Sequence, residues 1–181
     1  MSPVILLSDG YISHVNETII PHRDFTIKTR SRPPLGTGNR HFTGLSHDDS
    51  MPQTSDVDNY RRLITHFREK QQLTAQRYNS YEYLECSKET DTLLISYGAL
   101  SRIAYYFKND FALYRPIRMF PIVEEIKIIA SRYKRILIVE MNMGQYAREI
   151  ERILHREVEF IPILGGRIDL KEIKQKIYGQ K

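Results

Sequence analysis

Arg135-Ile136-Leu137-Ile138-Val139-Glu140-Met141-Asn142-Met143-Gly144-Gln145-Tyr146 is the stretch that decides the fold of this 181-residue chain. Its first six residues read as a strand. From about Gln145 to Leu154, Tyr146, Ile150, Ile153 and Leu154 recur on one face of a helix. The same alternation repeats on both sides. Upstream, the strand Thr92 to Tyr97 is closed by Gly98, a short helix Leu100 to Lys108 follows, then a strand Phe111 to Tyr114. A helix Ile122 to Tyr133 buries Ile126, Ile129, Ala130 and Tyr133. Downstream come the strand Val158 to Ile163 and a helix Leu170 to Tyr178. Asp169 enters that helix with Glu172 three residues on, an Asp variant of the capping box, and Gly179 ends it. Four strand-helix repeats predict right-handed crossovers and an α/β fold, a three-layer domain with a parallel sheet over residues 91–181.

Before that domain the pattern changes. Pro3 to Ser8 is apolar on both faces, as in the middle of a parallel sheet, and no neighbouring strand pattern follows it for about eighty residues. Residues 1–15 therefore read as an isolated strand. Residues 16–90 read as a long linker, rich in turn chemistry at Arg30-Ser31-Arg32-Pro33-Pro34, Gly36-Thr37-Gly38 and His47-Asp48-Asp49-Ser50. A connector helix is expected near 58–70, capped by Asp58, with Tyr60, Leu63, Ile64 and Phe67 at helical spacing.

Composition narrows the function classes. With 41% apolar and 27% charged residues the chain has the make-up of a globular protein, not a disordered polyelectrolyte. Its apolar runs are far shorter than the roughly 20 residues that span a bilayer, so no membrane segment is expected and a cytoplasmic location is the default. One cysteine, Cys86, cannot cradle an iron–sulfur cluster or form an internal disulfide. The net charge of +5 comes wholly from residues 87–181, with 17 Lys/Arg against 12 Asp/Glu. There the basic residues alternate with acids, as in Arg148-Glu149-Glu151-Arg152, which argues for a solvated surface and against nucleic-acid binding.

In an open α/β sheet, ligands and partners meet the carboxyl ends of the strands. Tyr97-Gly98, Arg115-Pro116, Glu140 to Gln145 and Gly165-Gly166-Arg167 arrive there. The most distinctive is Glu140 to Gln145, which delivers a carboxylate, a carboxamide and a glycine turn to a helix N-terminus, where free N–H groups favour anions. One glycine is not a dinucleotide fingerprint, so a turn with an interface role outweighs a phosphate site. Glu140, Asn142, Gly144, Gln145, Arg115 and Arg167 are the interface or anion-contact candidates. Gly36-Thr37-Gly38 lacks the strand before and the helix after that a phosphate cradle needs. His41, His47, Asp48 and Asp49 sit on a loop without the support a metal site requires, so no metal site is expected. Cys86 has no neighbour that would activate it, and no catalytic residue can be assigned.

Four motifs in order, Pro3-Val4-Ile5-Leu6-Leu7-Ser8-Asp9, His41-Phe42-Thr43-Gly44-Leu45-Ser46-His47-Asp48, Tyr114-Arg115-Pro116-Ile117 with Phe120-Pro121, and Glu140-Met141-Asn142-Met143-Gly144-Gln145-Tyr146, carry a resemblance. The chain resembles the C-terminal half of the alpha subunit of 2-oxoacid:ferredoxin oxidoreductases, the 2-oxoglutarate type most closely. The resemblance implies that Pro3 to Ser8 is the last strand of an otherwise missing pyrimidine-binding domain, and that residues 91–181 form a transketolase C-terminal-like domain. It also implies a thiamine-diphosphate enzyme that turns a 2-oxoacid and coenzyme A into acyl-CoA and carbon dioxide while reducing ferredoxin.

On this reading no cofactor is bound by this chain alone. Thiamine diphosphate, magnesium and an iron–sulfur cluster belong to a beta subunit, and another chain supplies the pyrimidine-binding domain. The chain is a scaffold and subunit interface, inactive by itself, with the Glu-x-Asn-x-Gly-Gln motif as a contact element. The rival is a stand-alone protein-interaction module of the same fold without enzymatic activity; a strand as apolar as Val4 to Leu7 is expected to drive association or a homodimer where no partner is present, and a well-behaved monomer favours the module. A third reading places a nucleotide or coenzyme A phosphate at Gly144.

Overall fold

Apolar side chains on both faces of four short strands require cover on two sides, and the chain supplies it with two helices on each face. The computed structural model describes residues 8, 10–21, 26, 43–47, 52–78 and 80–179. Pro3 to Leu7, Gly36 to Gly38, His41, Asp48 and Asp49, which figure in the sequence reading, lie outside them. The described residues divide into two units, one within 16–74 and the other within 7–15 and 75–181.

Helix α1 (Gly10–His14) belongs to the second unit, and most of the long helix α2 (Val57–Arg77) to the first. The cap of α2 is Asp56, whose Oδ1 accepts the Asn59 N–H at 2.9 Å. Asp58, the expected cap, lies inside the helix and pairs with Arg61 at 3.1 Å. Tyr60, Ile64 and Phe67 form the predicted stripe, each about half exposed. Within the stretch read as linker, Ser46 and Gln53 are joined by Gln53 N–H to Ser46 O and Ser46 Oγ to Gln53 O, both at 2.7 Å.

The second unit carries the sheet: β1 (Tyr81–Leu84), β2 (Thr92–Ser96), β3 (Ala112–Pro116), β4 (Arg135–Glu140) and β5 (Glu159–Pro162), in the order β1-β3-β2-β4-β5. The last four are mutually parallel, as predicted; β1 runs antiparallel to β3 at the edge. The sheet therefore starts inside the stretch assigned to the linker. Tyr81-Glu82-Tyr83-Leu84 alternates over only four residues, and its place comes from pairing: the Tyr81 and Tyr114 rings stack at 5.2 Å, and Tyr83 bonds Tyr133 through their hydroxyls.

Helices α3 (Ala99–Ala104), continued by a 3₁₀ turn through Phe107, and α6 (Leu170–Gly179) cover one face. There Leu100, Phe107, Ile173 and Ile177 pack on Leu94, Leu137 and Val139. The opposite face takes α4 (Glu125–Ala130) and α5 (Gln145–Leu154), whose Ile126, Ile129, Ala147 and Ile150 meet Ile95, Ile136 and Ile138. Three layers result. Helix α4 is shorter than the predicted 122–133, yet Ile126, Ile129, Ala130 and Tyr133 are all buried, because turns at Ser131 to Tyr133 carry the same face onward. Asp169 caps the last helix through Oδ1 to the Lys171 N–H at 2.8 Å, whereas Glu172 pairs forward with Lys176.

Candidate functional site

From β2 the chain moves to β3 on one side, then crosses back to β4 on the other, so the strand order reverses between β2 and β4. Their carboxyl ends flank the crevice where open α/β sheets place ligands. In parallel register Ser96 lies beside Val139, which brings the next pair, Tyr97 and Glu140, together at that point.

Glu140 is 1% exposed, a carboxylate with almost no water. Burial of such a group demands hydrogen bonds, and it has them. Its Oε2 accepts the Tyr97 hydroxyl at 2.7 Å and the Tyr146 N–H at 3.3 Å; its Oε1 accepts the Ala147 N–H at 3.0 Å. Asn142 completes the cap, its Oδ1 accepting the N–H groups of Gly144 at 2.8 Å and Gln145 at 3.2 Å, while its Nδ2 donates to the Tyr97 oxygen at 2.7 Å. Gln145 Oε1 accepts the Met143 N–H at 3.0 Å. Arg148 then donates to Gly144 O, the first bond of the helix itself.

The N–H groups before that first helical bond are thus all satisfied by two side chains. The negative charge favoured at this positive helix end is the protein's own Glu140. These N–H groups are not free for an external phosphate, so the helix start does not fit a diphosphate, and no step runs through such a group here. Gly144 holds φ +88°, and a Cβ there would come within 3.3 Å of the Phe160 ring, which fixes the glycine both by backbone and by space. Tyr97 and Tyr146 meet edge-on at 5.3 Å. Burial, helped for Tyr97 by its bond to Glu140, pushes both phenols well above their ordinary range, so they stay protonated donors.

Four of the six sequence candidates, Glu140, Asn142, Gly144 and Gln145, therefore form one network. Arg115 and Arg167 take no part in it. Arg115, on β3, pairs with Glu82 of β1 at 3.1 Å. Arg167 is exposed after two left-handed glycines, Gly165 and Gly166. Sequence reasoning left out Tyr97 as a member, although its place one residue beyond a strand parallel to that of Glu140 was the available signal. Among the described residues no group of three or more His, Cys, Asp or Glu is arranged to hold a metal ion. None of their helices is long and apolar enough to cross a membrane.

No protein-family model matches the chain. Curated relatives do. A protein of Methanothermobacter marburgensis named 2-oxoglutarate synthase subunit KorA is 30% identical, over 99% of this chain and 56% of its own length. The Archaeoglobus fulgidus protein of the same name is 22% identical, over 99% of this chain and 53% of its own. Among solved structures, 2-oxoglutarate:ferredoxin oxidoreductase from Magnetococcus marinus superposes with TM-score 0.67 and 19% identity, over 80% of this chain and 27% of that one, a likeness of fold. Along almost its entire length the chain is similar to the KorA subunit of 2-oxoglutarate synthases, and it spans about half the length of those relatives.

Proposed function

We propose that this chain is one piece of the alpha subunit of a 2-oxoacid:ferredoxin oxidoreductase of the 2-oxoglutarate type, corresponding to its C-terminal half. Similarity to relatives named 2-oxoglutarate synthase subunit KorA, 22–30% identical over 94–99% of the chain, carries the reading. The complex oxidatively decarboxylates a 2-oxoacid to an acyl-CoA and reduces ferredoxin. This chain serves it in the cytoplasm as scaffold and subunit interface and does not turn over alone. Thiamine diphosphate, magnesium and the iron–sulfur cluster sit on the beta subunit. Glu140, the Tyr97 hydroxyl and the N–H groups of the helix start are already bonded to one another or to Asn142, which suits a rigid contact element better than a reacting centre. The loop Glu140 to Gln145 is then a contact to the neighbouring subunits, with Arg115 and Arg167 on the same carboxyl side of the sheet.

The test is co-expression with the neighbouring subunits, followed by coenzyme A-dependent viologen reduction in the presence of 2-oxoglutarate. Activity that requires this chain is the expected result; full activity of the complex without it defeats the proposal. The chain spans only about half of its relatives, which keeps a second reading alive, a stand-alone interaction module of the same fold. Light scattering separates the two: a well-behaved monomer that captures no beta subunit favours the module.

A further inference from the structure

The sheet face covered by α3 and α6 is left open toward β1, and the opening is a cavity of about 290 Å³, close to the lower size of small-molecule pockets. Small side chains create it. Ser96 at the end of β2, with Ser101 and Ala104 one helical turn apart on α3, stand where larger residues would fill the space, and Leu84 and Leu113 add apolar walls. Ser96 is 2% exposed, and its hydroxyl has no hydrogen-bond partner, although a buried hydroxyl ordinarily finds one. Ser101 differs, since its hydroxyl donates to Gly98 O at 2.7 Å. A charged pair also lines the cavity: Arg115 Nη1 and the Tyr105 hydroxyl converge at 3.1 Å on one oxygen, Oε2 of Glu82. The other carboxylate oxygen and the rest of the guanidinium bond no described residue.

We propose that this cavity binds a small aliphatic amino acid as its zwitterion, the apolar side chain lying between Leu84, Leu113 and Ala104 and the two charges meeting Arg115 and Glu82. Charge matching selects the class. A simple carboxylate faces Glu82 as well as Arg115, and a simple amine faces Arg115 as well as Glu82. A molecule with ammonium and carboxylate on one carbon matches a cation and an anion held side by side. Ser96 gives the buried end a hydroxyl that accepts or donates. The site lies on the opposite sheet face from α5 and shares Arg115 alone with the subunit reading, on which it does not rest.

Titration calorimetry of the full chain with L-leucine, 4-methylpentanoate and 3-methylbutan-1-amine tests it. Leucine is expected to bind saturably and about threefold to fivefold more tightly than either single-charge analogue, each of which lacks one ion pair to a side chain that is 40% or 45% exposed. Ala104→Leu, which fills the cavity with an apolar side chain, should abolish binding while the circular dichroism spectrum is kept. Ser96→Ala should melt no lower than the parent chain, because it removes an unpaired hydroxyl. If Ala104→Leu disturbs the fold, Arg115→Gln and Glu82→Gln replace it, each lowering leucine affinity about threefold to fivefold. Three outcomes overturn the inference: no saturable heat with leucine, a carboxylate or amine that binds as tightly as leucine, or leucine binding unchanged in the cavity variants.

Discussion

Glu140 is the residue on which the carboxyl edge of the sheet turns, because one buried carboxylate holds two backbone N–H groups and the Tyr97 hydroxyl. Its removal in Glu140→Ala leaves all three donors without a partner, and a cost of roughly 3–4 kcal/mol is expected, since each orphaned buried group costs about 1–3 kcal/mol and some relax toward water. Tyr97→Phe removes the bond to Glu140 and the acceptor of Asn142 Nδ2, and should cost about 2–4 kcal/mol. Urea unfolding monitored by circular dichroism checks both, and equal stability of Glu140→Ala and parent contradicts the role. Gly144→Ala is expected to cost about 1–2 kcal/mol, the ordinary penalty for a side chain in left-handed backbone, with Phe160 forced to shift. The same unfolding measurement reads it. The turn at Gly144 and the helix start at Gln145 were legible from the sequence, but the purpose of Glu140 was not, since the acceptor and the N–H groups it serves are six and seven residues apart.

Elements with a full period of pattern were legible; those that depend on a distant partner were not. β4 and α5 fall where the sequence puts them, at Arg135–Glu140 and Gln145–Leu154, because each buries one regular set of side chains. β1 has only Tyr81 and Tyr83 to offer the core, and it becomes a strand because β3 presents a free edge and Tyr114 a ring to stack on. The start of α2 shows the same limit on a smaller scale. Asp56 and Asp58 are both acceptable capping residues, and the backbone selects Asp56. Asp56→Ala should therefore lower the stability of α2 by about 1 kcal/mol, and Asp58→Ala, which loses only an exposed ion pair with Arg61, by a few tenths. Helix content followed by circular dichroism on heating distinguishes them; a larger loss for Asp58→Ala reverses the assignment.

At the scale of the molecule, buried tyrosines tie the sheet to alkaline pH. Tyr97, Tyr114 and Tyr146 are each raised well above the ordinary 10.0, first by burial. A raised folded value means that the folded chain keeps protons the unfolded chain gives up. Their contribution is thus complete below about pH 10 and is lost as pH climbs above it toward the folded values. Unfolding should set in above about pH 10, with tyrosinate absorbance rising together with the loss of circular dichroism. Ionisation of all the tyrosines near pH 10 in a chain that stays folded contradicts this. By itself the sequence determined the strand-helix alternation, the parallel three-layer class and the turn at Gly144, because these depend on periodicities and backbone preferences that act over a few residues. The tertiary structure alone decided the antiparallel edge strand, the pairing of Tyr97 with Glu140 and the separation of Arg115 from that network. Each of these arises when strands distant in sequence settle into register, and that register is set by packing across the whole sheet.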